Sequence, residues 1–364
     1  MAASSQLTTA SLWAALFSCF YSHSVDAIAL KRPLIAFRQL TQEPADPQSP
    51  VKQAINQRAG YDQTPVFRFL SFAGQTSTHN TRSPEIRALI DSGQLSQARK
   101  ELKAKIVSEG DTHETLLLEA LILSKEKQFT AAMDKLQRSV ALDSSDAEAH
   151  YQLAMNAIIL NRLDIAEPEL SIALALGIDG FMIHFHRGML YYTTNRFGLA
   201  EAEFQMVIER NPKFVKGYEY LALTQEELKS DEIVIDTYRK AIEQVEQQKL
   251  KDESPYLRLL KFMWAKNRNE TTLPIAQRAV DLNPNSAEAH FLLARLLERS
   301  GQVDQAQLNL KRSIEINPSY PEALYLLSRI YLKQGNEQES SRLLQMFRDA
   351  RKKSAEREPE ASKK

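Results

Sequence analysis

The chain has 364 residues, with 46 basic and 46 acidic side chains, and is formally neutral. That balance argues against a general nucleic-acid binder, which needs a basic surface, while 43% hydrophobic residues suffice for a folded core. The single cysteine, Cys19, excludes an intramolecular disulfide.

Residues 12–21, LWAALFSCFY, form a short apolar run, followed by small and polar residues that include SVDA at 24–27. Residues 1–27 resemble a secretory signal peptide with cleavage after Ala27, and the run is too short for a comfortable membrane span. No Lys or Arg precedes Lys31, which departs from that pattern. A misassigned start codon and a buried N-terminal segment are the other readings. LFSC at 16–19 also loosely resembles a bacterial lipobox with Cys19 as the lipidated residue, although Phe17 fits it poorly. Membrane attachment is expected only if Cys19 is lipidated. Export would place the chain in a periplasm or envelope; without it the chain is expected to be cytoplasmic.

Residues 28–78 read as a spacer rich in Pro, Gln, Ser and Thr, as in TQEPADPQSPVKQ and FAGQTSTHNTRSP. A short helix is expected near 50–58. VFRFL at 66–70 reads as apolar residues in a linker, or as an anchor against the chain beyond residue 78.

From residue 79 the chain repeats itself. AEAHYQLA at 147–154 returns as AEAHFLLA at 287–294, and 287 − 147 = 140 is four units of 34 plus four residues. The four are KLKD at 249–252, and units begin near 79, 113, 147, 181, 215, 253, 287 and 321. A 34-residue period predicts a helix–turn–helix repeat. Position 8 of the unit is usually small (Ala120, Ala154, Gly188, Ala222, Ala294, Ser328), as is position 20 (Ala98, Ala132, Ala166, Ala200, Ala306, Ser340). Position 24 carries bulk: Leu102, Leu136, Leu170, Phe204, Tyr238, Leu310, Leu344. Gly93, Asn161, Asn195, Asn267, Gly301 and Gly335 at position 15 tolerate the left-handed conformation that ends a helix. Ser96, Thr130, Asp164 and Asp304 at position 18 are expected to cap the second helix. Pro168 and Pro274 at position 22 are expected in its first turn.

These units resemble the tetratricopeptide repeat (TPR) family over 79–350. The resemblance implies an all-α, right-handed superhelical solenoid of antiparallel helix pairs. The fifth and sixth units depart most, with Val234 and Thr272 at position 20 and Leu260 at position 8, so looser or rearranged packing is expected there. The charged segment 351–364 is expected to fray into a disordered tail.

Chemistry is not evident. No P-loop, dinucleotide fingerprint, HExxH, CxxC or GxSxG is present, and no catalytic, cofactor or metal residue is assigned. His184 and His186 in HFHRG are about 200° apart on a helix and cannot share a metal face. His150, His184 and His290 share position 4 and read as core.

The resemblance implies that the first helix of each pair lines a concave groove, with positions 2, 5, 6, 9, 12 and 13 exposed. In the middle units these carry Tyr151, Met155, Ile158, Phe185, Met189, Tyr192 and Tyr220, expected partly as contact and partly as core. In the last three units position 9 reads Lys261, Arg295 and Arg329, with Arg258, Arg299 and Lys333 nearby and Phe291 and Tyr325 interleaved. This basic ladder suits an extended peptide with acidic and apolar residues; neutralisation by Glu288, Glu298 and Glu322 is the alternative. The clamp of some family members for chaperone tails needs Lys at position 5 and Asn at position 9 of one unit, and no unit has both. The expected function is a non-catalytic scaffold binding a protein or peptide in the groove. The alternative is an envelope assembly factor or lipoprotein that tethers partners at a membrane.

Overall fold

A left-handed residue at position 15 splits seven of the eight repeats into two helices; the fifth, with Lys229 there, has none. Gly93, Lys127, Asn161, Asn195, Asn267, Gly301 and Gly335 all have φ between 56° and 82°. Asn161 shows the closure: its N–H donates to Ile158 O at 3.0 Å and that of Arg162 to Ala157 O at 2.7 Å. This pair of bonds satisfies the last carbonyls of the helix.

The computed structural model describes residues 83–268 and 272–361, with side chains through Lys353. The expected signal segment, Cys19, the spacer, the 50–58 helix and VFRFL lie outside the described residues. Among the described residues there is no strand, and the helices fall into two units, 83–144 and 145–361.

The smaller unit holds α1 (Pro84–Asp91), α2 (Leu95–Glu109), α3 (His113–Lys125) and α4 (Phe129–Leu142). The larger holds α5 (Ala147–Ile159), α6 (Leu163–Ala175), α7 (Phe181–Thr193), α8 (Phe197–Arg210), α9 (Val215–Gln225) and α10 (Asp231–Gln247). It continues with α11 (Ser254–Ala265), α12 (Thr272–Leu282), α13 (Ala287–Arg299), α14 (Val303–Ile316), α15 (Pro321–Lys333) and α16 (Glu337–Ala361). Within the larger unit each helix packs on the next, and first helices also pack on first helices, α7 on α9, α9 on α11, α11 on α13 and α13 on α15. The result is an all-α repeat solenoid.

Small and large residues at positions 8 and 24 are matched. Gly188 faces Phe204, and a Cβ at Gly188 would lie 2.7 Å from the Phe204 ring. The sixth unit exchanges the bulk, with Leu260 at position 8 and Ala276 at position 24, both buried in one core cluster. Val234 and Thr272 at position 20 are also buried. A second cluster of Ala222, Val234, Ile235, Tyr238, Leu259, Phe262 and Met263 fills the fifth and sixth units. Packing there is rearranged and not loose.

Three local expectations are corrected. The second helices start at position 17, so Ser96, Thr130, Asp164 and Asp304 are the second residues of their helices and not caps. Side-chain caps instead start first helices: Thr112 on α3, Asp146 on α5 and Ser286 on α13. Pro168 lies inside α6, beyond its first turn, and removes one helical hydrogen bond. Finally, α16 stays helical to Ala361, through most of the expected disordered tail.

The position-4 histidines are buried, each held from the second helix of its own pair. Nδ1 of His150 lies 2.5 Å from Glu169, that of His184 2.8 Å from Glu203, and that of His290 2.9 Å from Asn309.

Candidate functional site

The middle stripe is mostly core. Met155, Ile158, Phe185, Met189 and Tyr220 are buried. Phe185 shows why: its ring centroid lies 5.3 Å from Phe214, 5.4 Å from Tyr220 and 5.9 Å from Phe204. Side chains at positions 5 and 9 here fill the seam between successive first helices and do not form an outer surface. Tyr151 and Tyr192 remain half-buried. The Tyr151 hydroxyl lies 2.8 Å from Nδ1 of His186, and burial lowers the His186 pKa to about 4.

The last three units are different, because cations occupy position 9 and are partnered unequally. Arg258 is used internally. Its Nε donates to Glu219 at 2.6 Å, and Glu219 is fully buried and also holds Ser254 Oγ at 2.9 Å and Lys216 Nζ at 3.2 Å. Burial works to raise the Glu219 carboxyl, but Lys216 and Arg258 outweigh it and hold the pKa below the usual range. This cluster ties α9 to α11 across the KLKD insertion. Lys261 is paired with Glu288 and Lys333 with Glu298, the latter at 3.1 Å. Arg299 donates to Asn267 at 2.9 Å and lies over the Trp264 ring at 5.5 Å.

Arg295 and Arg329 have no ion-pair partner among the described residues. The Arg295 guanidinium carbon sits 3.6 Å from the Trp264 ring centre and 5.5 Å from Phe291. Its Nε is buried without an acceptor among the described residues. Burial pushes its pKa down to about 10, with Tyr320 and Glu322 opposing from a distance; it stays charged at neutral pH. Arg329 is exposed on α15. Phe291 is buried, 5.4 Å from Tyr320. Tyr325 is 46% exposed, with one face 5.5 Å from Phe347, and Leu332 nearby on the same helix is 56% exposed.

The expected ladder is therefore corrected to an unevenly partnered one: Arg258, Lys261 and Lys333 are ion-paired, Arg299 is held by Asn267, and Arg295 and Arg329 at position 9 are without a contact partner among the described residues, beside the exposed Tyr325 and Leu332. Sequence reasoning missed Trp264 and Glu219 as determinants. Both carried a signal: Trp264 is at groove position 12, and Glu219 is the charged residue at the otherwise apolar or aromatic position 5.

A family model described as tetratricopeptide repeat matches residues 151–213, and one described as anaphase-promoting complex, cyclosome, subunit 3 matches 265–347. Residues 151–213 are tetratricopeptide repeats by the first match. Among solved structures, the C-terminal part of a TPR repeat-containing protein from Cytophaga hutchinsonii is similar at 13% identity and TM-score 0.54, covering 63% of this chain and 93% of its own. Yeast Tom70 is similar at 17% identity and TM-score 0.48, covering 74% and 58%. YrrB, described as a TPR protein with an unusual peptide-binding site, is similar at 19% identity and TM-score 0.41, covering 50% and 91%. No curated protein matches the chain in sequence.

Proposed function

We propose that this TPR chain is a non-catalytic protein-interaction scaffold, and that an extended segment of a partner protein lies against α11, α13 and α15. The observation that carries this reading is Arg295, a partly desolvated cation over Trp264 that has no contact ion pair among the described residues and feels Glu322 only through its charge. Partly desolvating a charge without a contact counter-charge costs free energy, and an acidic partner group offsets that cost. Repeat solenoids present such side chains on extended rigid surfaces, with little reorganisation on binding.

The test is affinity capture from the source organism, comparing wild type with Lys261→Glu/Arg295→Glu/Arg329→Glu and with Arg239→Glu on the second helix α10. The expected outcome is a partner retained by wild type and Arg239→Glu and lost by the triple variant, at equal helicity. A partner retained by the triple variant contradicts the reading.

A further inference from the structure

We propose that the bound segment is a polyproline II strand carrying acidic side chains three residues apart, one for Arg295 and one for Arg329. The inference rests on the partner-binding reading of this face and adds the chemistry and geometry of the ligand.

The available charges at the shared repeat position set the number of acidic groups. Glu288 answers Lys261, Glu298 answers Lys333, Glu219 answers Arg258, and Arg299 donates to Asn267. Of the position-9 cations, Arg295 and Arg329 have neither an ion pair nor a hydrogen bond among the described residues. Arg295 lies over the Trp264 ring with its Nε buried, so its terminal amino groups are the donors left for a carboxylate.

The repeat sets the spacing. Arg295 and Arg329 are 329 − 295 = 34 residues apart and occupy the same position on α13 and α15. Cα atoms of these two helices approach within 8 Å, and packed helices lie about 8–10 Å apart between axes. A polyproline II strand rises about 3.1 Å per residue with three residues per turn, so side chains on one side recur about every 9 Å. A β-strand presents the same face about every 7 Å, and an α-helical turn advances about 5.4 Å. The polyproline II repeat falls inside that range, and the β-strand and α-helical repeats fall short of it. Tyr325, one turn before Arg329 on α15, offers an exposed ring of the kind on which proline-rich strands pack.

The experiment is fluorescence polarisation of labelled synthetic peptides against the full chain. One peptide repeats Glu-Pro-Pro-Glu-Pro-Pro, a second has the same composition ordered Glu-Pro-Glu-Pro-Pro-Pro, and a third replaces Glu with Gln. The first is expected to bind most tightly. The mis-spaced isomer engages one arginine at a time and binds about tenfold more weakly, the loss of one charge-assisted pair. Arg329→Gln, at an exposed site that leaves the fold intact, and Arg295→Gln each cost the first peptide about tenfold, while Arg239→Gln on α10 leaves it within about twofold. Equal binding of the two spacings, unchanged binding to Arg329→Gln, or binding by none of the peptides overturns the proposal. In each case the capture experiment with the triple variant still decides the scaffold reading by itself.

Discussion

Lys127 adopts φ of 62° at a position where six other units use Gly or Asn. A side chain with a Cβ is strained there, so Lys127→Gly is expected to stabilise the chain by up to about 1 kcal/mol, read from the urea midpoint. His186 makes a pH prediction. Its folded pKa of about 4 lies below the ordinary 6.5, so both states are neutral above pH 6.5 and the unfolded state alone gains the proton below it. Stability is thus lost as pH falls from 6.5 toward 4, by up to about 3 kcal/mol from this group. The fall in Tm across that window is expected to be smaller in His186→Gln; an equal fall removes His186 as a contributor. At this scale the sequence showed positions but not partners. Arg258 and Lys261 fall in the same ladder as Arg295, yet Glu219 and Glu288 come from other units and neutralise them. That pairing depends on inter-repeat contacts that one-dimensional register does not report.

Elements are held by size matching. Gly188→Ala places a methyl against the buried Phe204 ring and is expected to destabilise by about 1–3 kcal/mol. Adding Phe204→Leu should recover part of that loss; an unaltered Gly188→Ala melt contradicts the matching. Glu219→Gln removes the carboxylate that Arg258 depends on and is expected to cost about 3–5 kcal/mol, as for a broken buried ion pair. If Tm is unchanged, the α9–α11 cluster is not what joins these helices. Helix pairs were legible because Gly or Asn at position 15 and small residues at positions 8 and 20 recur. Helix starts were less so. Polar residues at position 18 suggested caps, but the left-handed residue at position 15 lets the second helix begin two residues later, at position 17, before those side chains can serve. Pro168 likewise looked tolerable only because the helix start was placed too late.

At the scale of the whole chain, the 34-residue period and the KLKD insertion were visible in the sequence because each repeat must bury the same faces against its neighbours. The insertion lengthens α10 to Gln247 and places Lys249 in the left-handed region, at φ of 53°. The middle aromatic stripe was misread because exposed and seam positions share the same periodicity, and only the neighbouring rings around Phe185 separate them. The leader reading of residues 1–27 predicts a mature N-terminus at Ile28, and the lipobox reading an acylated Cys19; an intact Met1 in the mass of the purified protein removes both. The most direct measurement of which face meets the partner is photocrosslinking in the source organism from a reactive residue at position 325, on first helix α15, and at position 308, on second helix α14; Tyr325 is 46% and Leu308 69% exposed. If the first-helix face meets the partner, position 325 yields a crosslinked partner and position 308 does not. The same partner captured from 308 alone, or equally from both, would contradict that reading.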